Sequence, residues 1–250
     1  MSGHSKWSTI KRKKGAADQK RGQLFTKIGR ELAVAAREGG PDPEANFRLR
    51  LVVEKARANN MPKENIERAI RRGAGLEKGE ALEEITYEGY GPGGVAFLVE
   101  VVTDNRNRAV AEVRRFFTRH GGNLGETGCV AWLFSPQGLI TVRTEDRDPD
   151  EVFELAVEAG AEDIRIEDDQ VEIYTAPEDF HHVRAKLAEK GVQFESAQIS
   201  MIPSTYAQVD EKTALQTMNL IEELEELDDV QAVYSNLDIS DELLEKYEVA

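Results

Sequence analysis

"GLITVRTEDRDPDEVFELAVEAGAEDIRIEDDQVEIYTAPEDFHHVRAKLAEKGVQFESAQISMI", residues Gly138 to Ile202, sets the architecture of the chain. "LITVRT", "DIRIE", "VEIYT" and "ESAQISMI" are rich in β-branched and aromatic residues and predict strands. "DPDEVFELAVEAG" and "PEDFHHVRAKLAEKG" carry helical periodicity between them. The order β-α-β-β-α-β is the ferredoxin-like arrangement.

Before this block, "EEITYEGY", "GVAFLVEVVTD" and "CVAWLF" predict further strands. "NRAVAEVRRFFTRHGG" predicts a helix that aligns Val110, Val113 and Phe117. After it come a helix, "TALQTMNLIEELEEL", and a strand, "VQAVYSN". These two elements complete the unit begun at residue 77, so a ferredoxin-like domain at 136–203 is predicted to be inserted in another formed by 77–135 and 204–240. Residues 241–250 form a tail.

Residues 1–76 read as helices. "QLFTKIGRELAVAARE" places Leu24, Phe25, Ile28, Leu32, Ala35 and Ala36 on one stripe and stops at Gly39-Gly40-Pro41. "PEANFRLRLVVEKARANN" points Phe47, Leu51 and Val52 inward, and "MPKENIERAIRRGAG" does so with Ile66, Ala69 and Ile70 before ending at Gly73. Three such helices with short connections make a bundle. Residues 1–22 offer only Trp7 and Ile10 as large apolar side chains and predict an arm mobile in the free protein. The fold class is therefore α+β and multidomain: a basic arm, a three-helix bundle and two ferredoxin-like α/β-sandwich domains.

Charge is segregated along the chain. Its 250 residues carry a net charge of −15, yet residues 1–75 hold 18 Lys and Arg against 8 Asp and Glu. Such asymmetry predicts a basic end that meets a polyanion and an acidic body that stays off it. The competing reading is that the two parts attract each other within the fold. In the arm, Lys6, Lys11, Arg12, Lys13, Lys14, Lys20 and Arg21 face one acid, Asp18. Lys27, Arg30, Arg68, Arg71 and Arg72 extend the basic set into the helices. Guanidinium groups bind phosphate through two bonds at once. Trp7 suits stacking on an unpaired base, or anchors the arm to the bundle. Arg106, Arg108, Arg114, Arg115 and Arg119 form a second candidate face, with pairing to neighbouring acidic helices as its alternative.

Other chemistries are weakly supported. "GYGPGG" satisfies a dinucleotide-binding spacing, but a strand follows it where a helix is needed, so it reads as a hairpin turn. The single cysteine, Cys129, leaves no internal disulfide or multi-cysteine zinc site and reads as a buried, inert thiol in a strand. His181 and His182 point in different directions on a helix, and His120 sits at a helix end. The acids of "EELEELDD" are the wet face of an amphipathic helix. No catalytic residue, metal site or cofactor is predicted; a carboxylate-based hydrolase and a protein scaffold are the rival classes. No apolar run of membrane-spanning length occurs, and the bunched amino-terminal lysines lack the apolar core of a secretory signal.

With "GHSKWSTIKRKKGAADQKRGQLFTKIGRELAVAAREGG", "NNMPKENIERAIRRG", "YEGYGPGGVAFLVEVVTDN" and "DDVQAVYSN" in view, the chain resembles the YebC family from Met1 to about residue 240. The resemblance implies an amino-terminal helical domain followed by two α+β domains. Family members are described as probable transcriptional regulatory proteins that bind DNA in the cytoplasm. A mitochondrial relative activates translation of cytochrome oxidase subunit one, and bacterial relatives are linked to helping ribosomes through difficult sequences. The resemblance thus implies a regulator whose partner is DNA or rRNA, the ribosome included. The chain opens directly at the family motif, which suits a bacterial cytoplasmic member. No membrane partner is implied, and the oligomeric state is open, a monomer being compatible.

Overall fold

The computed structural model describes residues 18–77, 81–167, 170–240, 243 and 247. The chain divides into two compact units. One is formed by residues up to Ala131 and from Tyr206 onward, and the other, Trp132–Thr205, lies between them in sequence. Both combine helices with a four-stranded antiparallel sheet, so the fold is α+β and multidomain.

The first unit opens with three helices, α1 (Asp18–Gly39), α2 (Phe47–Ala58) and α3 (Lys63–Gly73). Helix α1 starts at Asp18, so the segment expected as an arm to residue 22 already contributes its last residues to a helix. The face of α2 also differs from the expected one. Leu49, Val53 and Ala56 are buried, whereas Phe47 is 40% exposed. Asn46 sets this register: its Oδ1 accepts the Leu49 N–H at 3.0 Å, while its Nδ2 donates to the Ala35 and Gly40 carbonyls at 2.7 and 2.8 Å. A capped start pinned to the end of α1 fixes which side of α2 turns inward. Ile28, Leu32, Ala35, Leu49, Val53 and Ile66 form the bundle core.

Strands β1 (Glu83–Tyr90) and β2 (Ala96–Thr103) follow, joined by a single 3-10 turn at Pro92–Gly94. The "GYGPGG" segment is therefore a hairpin connection, with Gly93 and Gly94 at φ 68° and 78°. Helix α4 (Arg106–Arg119) and a short edge strand β3 (Asn123–Leu124) come next. After the second unit, helix α7 (Glu211–Glu225) and strand β8 (Val230–Ser235) close the sheet in the order β3-β1-β2-β8. Its chain order is β-β-α-β and then α-β, which corrects the ferredoxin-like connectivity expected here: the tight turn makes β1 and β2 direct neighbours at the centre of the sheet. Helices α4 and α7 pack on one face, with Phe97 and Phe117 edge to face at 5.4 Å. Leu243 and Tyr247, from the stretch set apart as a tail, are buried in this core.

The second unit carries β4 (Phe134–Arg143), α5 (Pro149–Ala159), β5 (Asp163–Ile166), β6 (Gln170–Thr175), α6 (Phe180–Glu189) and β7 (Ser196–Pro203). That is the element order read from the sequence, and its strands lie in the order β5-β6-β4-β7. "CVAWLF" is not a strand. Residues Ala131–Leu133 make one 3-10 turn, and β4 begins at Phe134, which pairs with Pro203. The reason is a tertiary contact: the buried Glu88 carboxylate accepts the backbone N–H groups of Gly128, Val130 and Ala131 at 2.6, 2.8 and 2.7 Å. Those donors are thereby taken from any strand ladder. Cys129 is consequently half-buried in a loop.

Candidate nucleic-acid interface

Helices α1 and α3 frame an arginine-lined concavity. Helix α3 leaves Pro62, whose φ of −57° suits a helix start, and runs Ile66 and Ala69 into the core. At its end the Gly73 backbone lies against α1 so closely that a Cβ there would stand 2.0 Å from the Ala33 carbonyl oxygen. The two helices therefore close at the Gly73 end. Gly29, nearer the start of α1, would hold a Cβ with nothing nearer than Met61 Cε at 4.0 Å. A groove of about 620 Å³ results, lined by Arg30, Arg37, Arg68 and Arg72, with Phe25, Val34 and Met61 among its apolar residues.

The guanidinium groups differ in their engagements. Arg30 is held: its Nη1 meets Asp229 Oδ1 at 2.6 Å and also donates to the Asp228 carbonyl. Arg37 donates to the Leu82 carbonyl. Arg68 and Arg72 stand one helical turn apart, exposed, and have no ion pair among the described residues. Arg71 turns aside to Glu77 Oε1 at 2.7 Å. Lys27 Nζ donates to the Glu225 carbonyl at 2.5 Å. Arg21 is exposed on the first turns of α1. Lys6, Trp7, Lys11, Arg12, Lys13 and Lys14 lie outside the described residues, as does the side chain of Lys20.

The second basic face is partly occupied by acids of its own unit. Arg108 Nη2 lies 2.7 Å from Asp104 Oδ1 and 2.9 Å from the buried Asp229 Oδ2, and these partners hold its guanidinium firmly protonated. Arg119 meets Glu223 at 3.3 Å, and the same carboxylate receives His120 at 3.1 Å. Arg106, Arg114 and Arg115 remain exposed on α4, with Arg115 also 4.9 Å over the Phe116 ring. Of the five arginines, pairing accounts for Arg108 and Arg119.

Asp229 joins three elements. It receives Arg30 from α1, Arg108 from α4 and the Thr103 hydroxyl at 2.8 Å from β2. Sequence reasoning assigned it to a wet acidic face; its place just before β8 puts it at 5% exposure instead. Reasoning from the sequence also passed over Arg37, Gly29 and Met61. The spacing Gly29, Ala33, Arg37 at every fourth residue of α1 was the available signal. Among the described residues, no group of three His, Cys, Asp or Glu could hold a metal ion, and no helix is long and apolar enough to cross a membrane.

Comparison with known proteins covers nearly the whole chain. The sequence pattern of the TACO1/YebC protein N-terminal domain matches residues 5–76, and that of the TACO1/YebC second and third domain matches residues 82–237. A probable transcriptional regulatory protein of Trichlorobacter lovleyi is 57% identical over 98% of this chain and 99% of its own length. One from Dictyoglomus turgidum is 55% identical with the same coverage. The crystal structure of a conserved hypothetical protein from Aquifex aeolicus superposes with a TM-score of 0.83 at 50% identity, covering 90% of this chain and 93% of that one. With its helical region and both its later domains matched, the chain belongs to the TACO1/YebC family.

Proposed function

We propose that this protein is a non-enzymatic, nucleic-acid-binding regulator of gene expression, of the type its relatives' names describe as probable transcriptional regulatory proteins. Residues 1–76 are its binding module, and the acidic remainder, with a ferredoxin-like domain at 136–203 inserted in its neighbour, projects away from the polyanion. It acts in the cytoplasm. The observation that carries the reading is the pair Arg68 and Arg72: two exposed guanidinium groups on one helix face, without ion pairs among the described residues, beside a groove lined by two further arginines. In a chain of net charge −15, unpaired cations gathered at one place suit phosphate contacts.

A second reading, a factor acting on ribosomal RNA to activate translation or relieve stalling, is favoured by the apolar part of the groove. Reading duplex DNA by sequence requires side chains that face base edges in a groove. An apolar floor between phosphate-binding arginines suits unpaired bases instead. Sedimentation of the full chain with ribosomes, beside gel-shift titration on duplex DNA at matched salt, separates the two. Stable co-sedimentation with weak duplex binding assigns translation, and tight duplex binding without co-sedimentation assigns transcription. Failure of both at low salt contradicts the proposed function.

A further inference from the structure

We infer that the groove between α1 and α3 is a slot for one unpaired nucleotide of single-stranded RNA, its base entering against Phe25 and the bare backbone of Gly29 and its flanking phosphates meeting Arg68 and Arg72. This deepens the nucleic-acid reading above and rests on it. The groove combines two chemistries that a phosphate site alone does not need. Phosphates are served by exposed cations, and Arg68 and Arg72 already provide them at the rim. A base has an apolar face and needs somewhere dry to put it.

The groove has that place because α1 lacks a side chain there. Gly29 stands at the middle of a helix, where glycine costs about 1 kcal/mol against alanine, and no close neighbour excludes a side chain. The contrast with Gly73 is direct, since a Cβ there would collide with the Ala33 backbone. Packing explains Gly73 and leaves Gly29 unexplained. Space kept open in the groove gives it a reason.

Carboxylates in the groove favour RNA over single-stranded DNA. Glu77 and Asp104 line it, each with an arginine partner at 2.7 Å. Carboxylate oxygens repel phosphate but accept from a hydroxyl, and Glu77 has acceptor capacity beyond its bond to Arg71. The ribose 2′-hydroxyl is the donor that RNA has and DNA lacks.

The test uses the full chain, fluorescence anisotropy and single-stranded probes of equal length: an oligouridylate, its abasic ribose-phosphate counterpart, and the deoxy form of the base-bearing strand. The oligouridylate is expected to bind about tenfold more tightly than the abasic strand, and more tightly than the deoxy strand. In Gly29→Leu, which fills the groove without changing charge, the ratio of base-bearing to abasic affinity falls to about one. Thermal melting confirms that this variant folds. In Arg68→Gln/Arg72→Gln, affinity for both strands falls further than in Arg114→Gln/Arg115→Gln. A base preference that survives Gly29→Leu, equal binding of base-bearing and abasic strands, or an arginine pair no more important than the one on α4 each overturns the slot while salt-dependent binding leaves the nucleic-acid reading standing. Equal binding of the deoxy strand overturns the assignment to RNA. Binding of none of the probes overturns the slot, while the nucleic-acid reading stands or falls on the ribosome sedimentation and duplex titration above.

Discussion

Asn46 shows how one side chain decides a register. Its amide both caps α2 and holds the α1 carboxyl end through bonds to the Ala35 and Gly40 carbonyls, at 5% exposure. Asn46→Ala therefore strands the buried Leu49 N–H, removes the tie to the Ala35 and Gly40 carbonyls, and is expected to cost about 2 kcal/mol. Asn46→Asp keeps the cap but turns a carboxylate toward those carbonyls, and urea denaturation should find it no more stable than the alanine variant. Glu88 acts similarly on its loop. Burial raises its pKa, three backbone N–H donors lower it, and the donors prevail, so the carboxyl titrates below its ordinary range. A depressed carboxylate contributes stability that is present above the unfolded-state pKa of about 4 and lost as pH falls through the folded value. Glu88→Gln is expected to lose about 2 kcal/mol at pH 7, with the gap to the unsubstituted protein closing in acid. Glu100 has the opposite sign. Burial first, and then Glu84 and Glu31, raise its pKa against the pull of Arg48 and a Tyr234 hydrogen bond. The charged form is disfavoured, so stability falls as pH rises past the unfolded value. Glu100→Gln should melt at a higher temperature than the unsubstituted protein at pH 7, with the advantage vanishing near pH 4.

At the scale of elements, α1 against α3 is the contact on which the groove depends. Gly73→Ala puts a methyl group into the Ala33 backbone and must push the helices apart. Although alanine is the better helix former, overpacking at a backbone contact is expected to destabilise by about 2 kcal/mol. The variant should also widen the groove, visible as faster hydrogen exchange along α3. The helices were legible because their apolar spacing and Gly-Pro stops act locally, as in Leu32, Ala35 and Ala36 before Gly39. The inward side of α2 was not, because Phe47 looks like a core residue until the Asn46 cap rotates the helix. Nor was the loop before β4 legible. "CVAWLF" has strand composition, but a carboxylate distant in sequence, Glu88, claims its N–H groups. The α1–α3 groove fell between these cases: Arg30, Arg68 and Arg72 were singled out from charge, whereas the cavity they line depends on two glycines whose surroundings no sequence pattern reports.

At the scale of the whole molecule, the charge segregation divides into two uses. Some basic residues of the first 76 bind the chain's own acids: Arg48 reaches Glu38 and Glu84, Lys55 reaches Glu31, and Arg30 reaches Asp229. The attraction within the fold that competed with the polyanion reading is therefore real for Arg30 and Arg48, whose partners Asp229 and Glu84 lie in the acidic remainder, whereas the pairs with Glu31 and Glu38 stay inside the bundle. The exposed pairs among them, those of Arg48, contribute little, about 0–1 kcal/mol each, whereas Arg30–Asp229 is largely buried. Arg68 and Arg72 have no such pair among the described residues, and the lysine-rich segment from Lys6 to Lys14 adds charge that the same account assigns to phosphate. The most direct measurement is the affinity of the full chain for single-stranded RNA and duplex DNA as a function of salt, beside a variant with Lys11, Arg12, Lys13 and Lys14 changed to alanine. If about five phosphates are neutralised, the logarithm of affinity falls against that of salt with a slope of about −3.5 on single strands or −4.5 on a duplex. The variant should show a slope shallower by about two to three units. Equal slopes for the two proteins, or affinity indifferent to salt, would contradict the assignment of this basic region to nucleic acid.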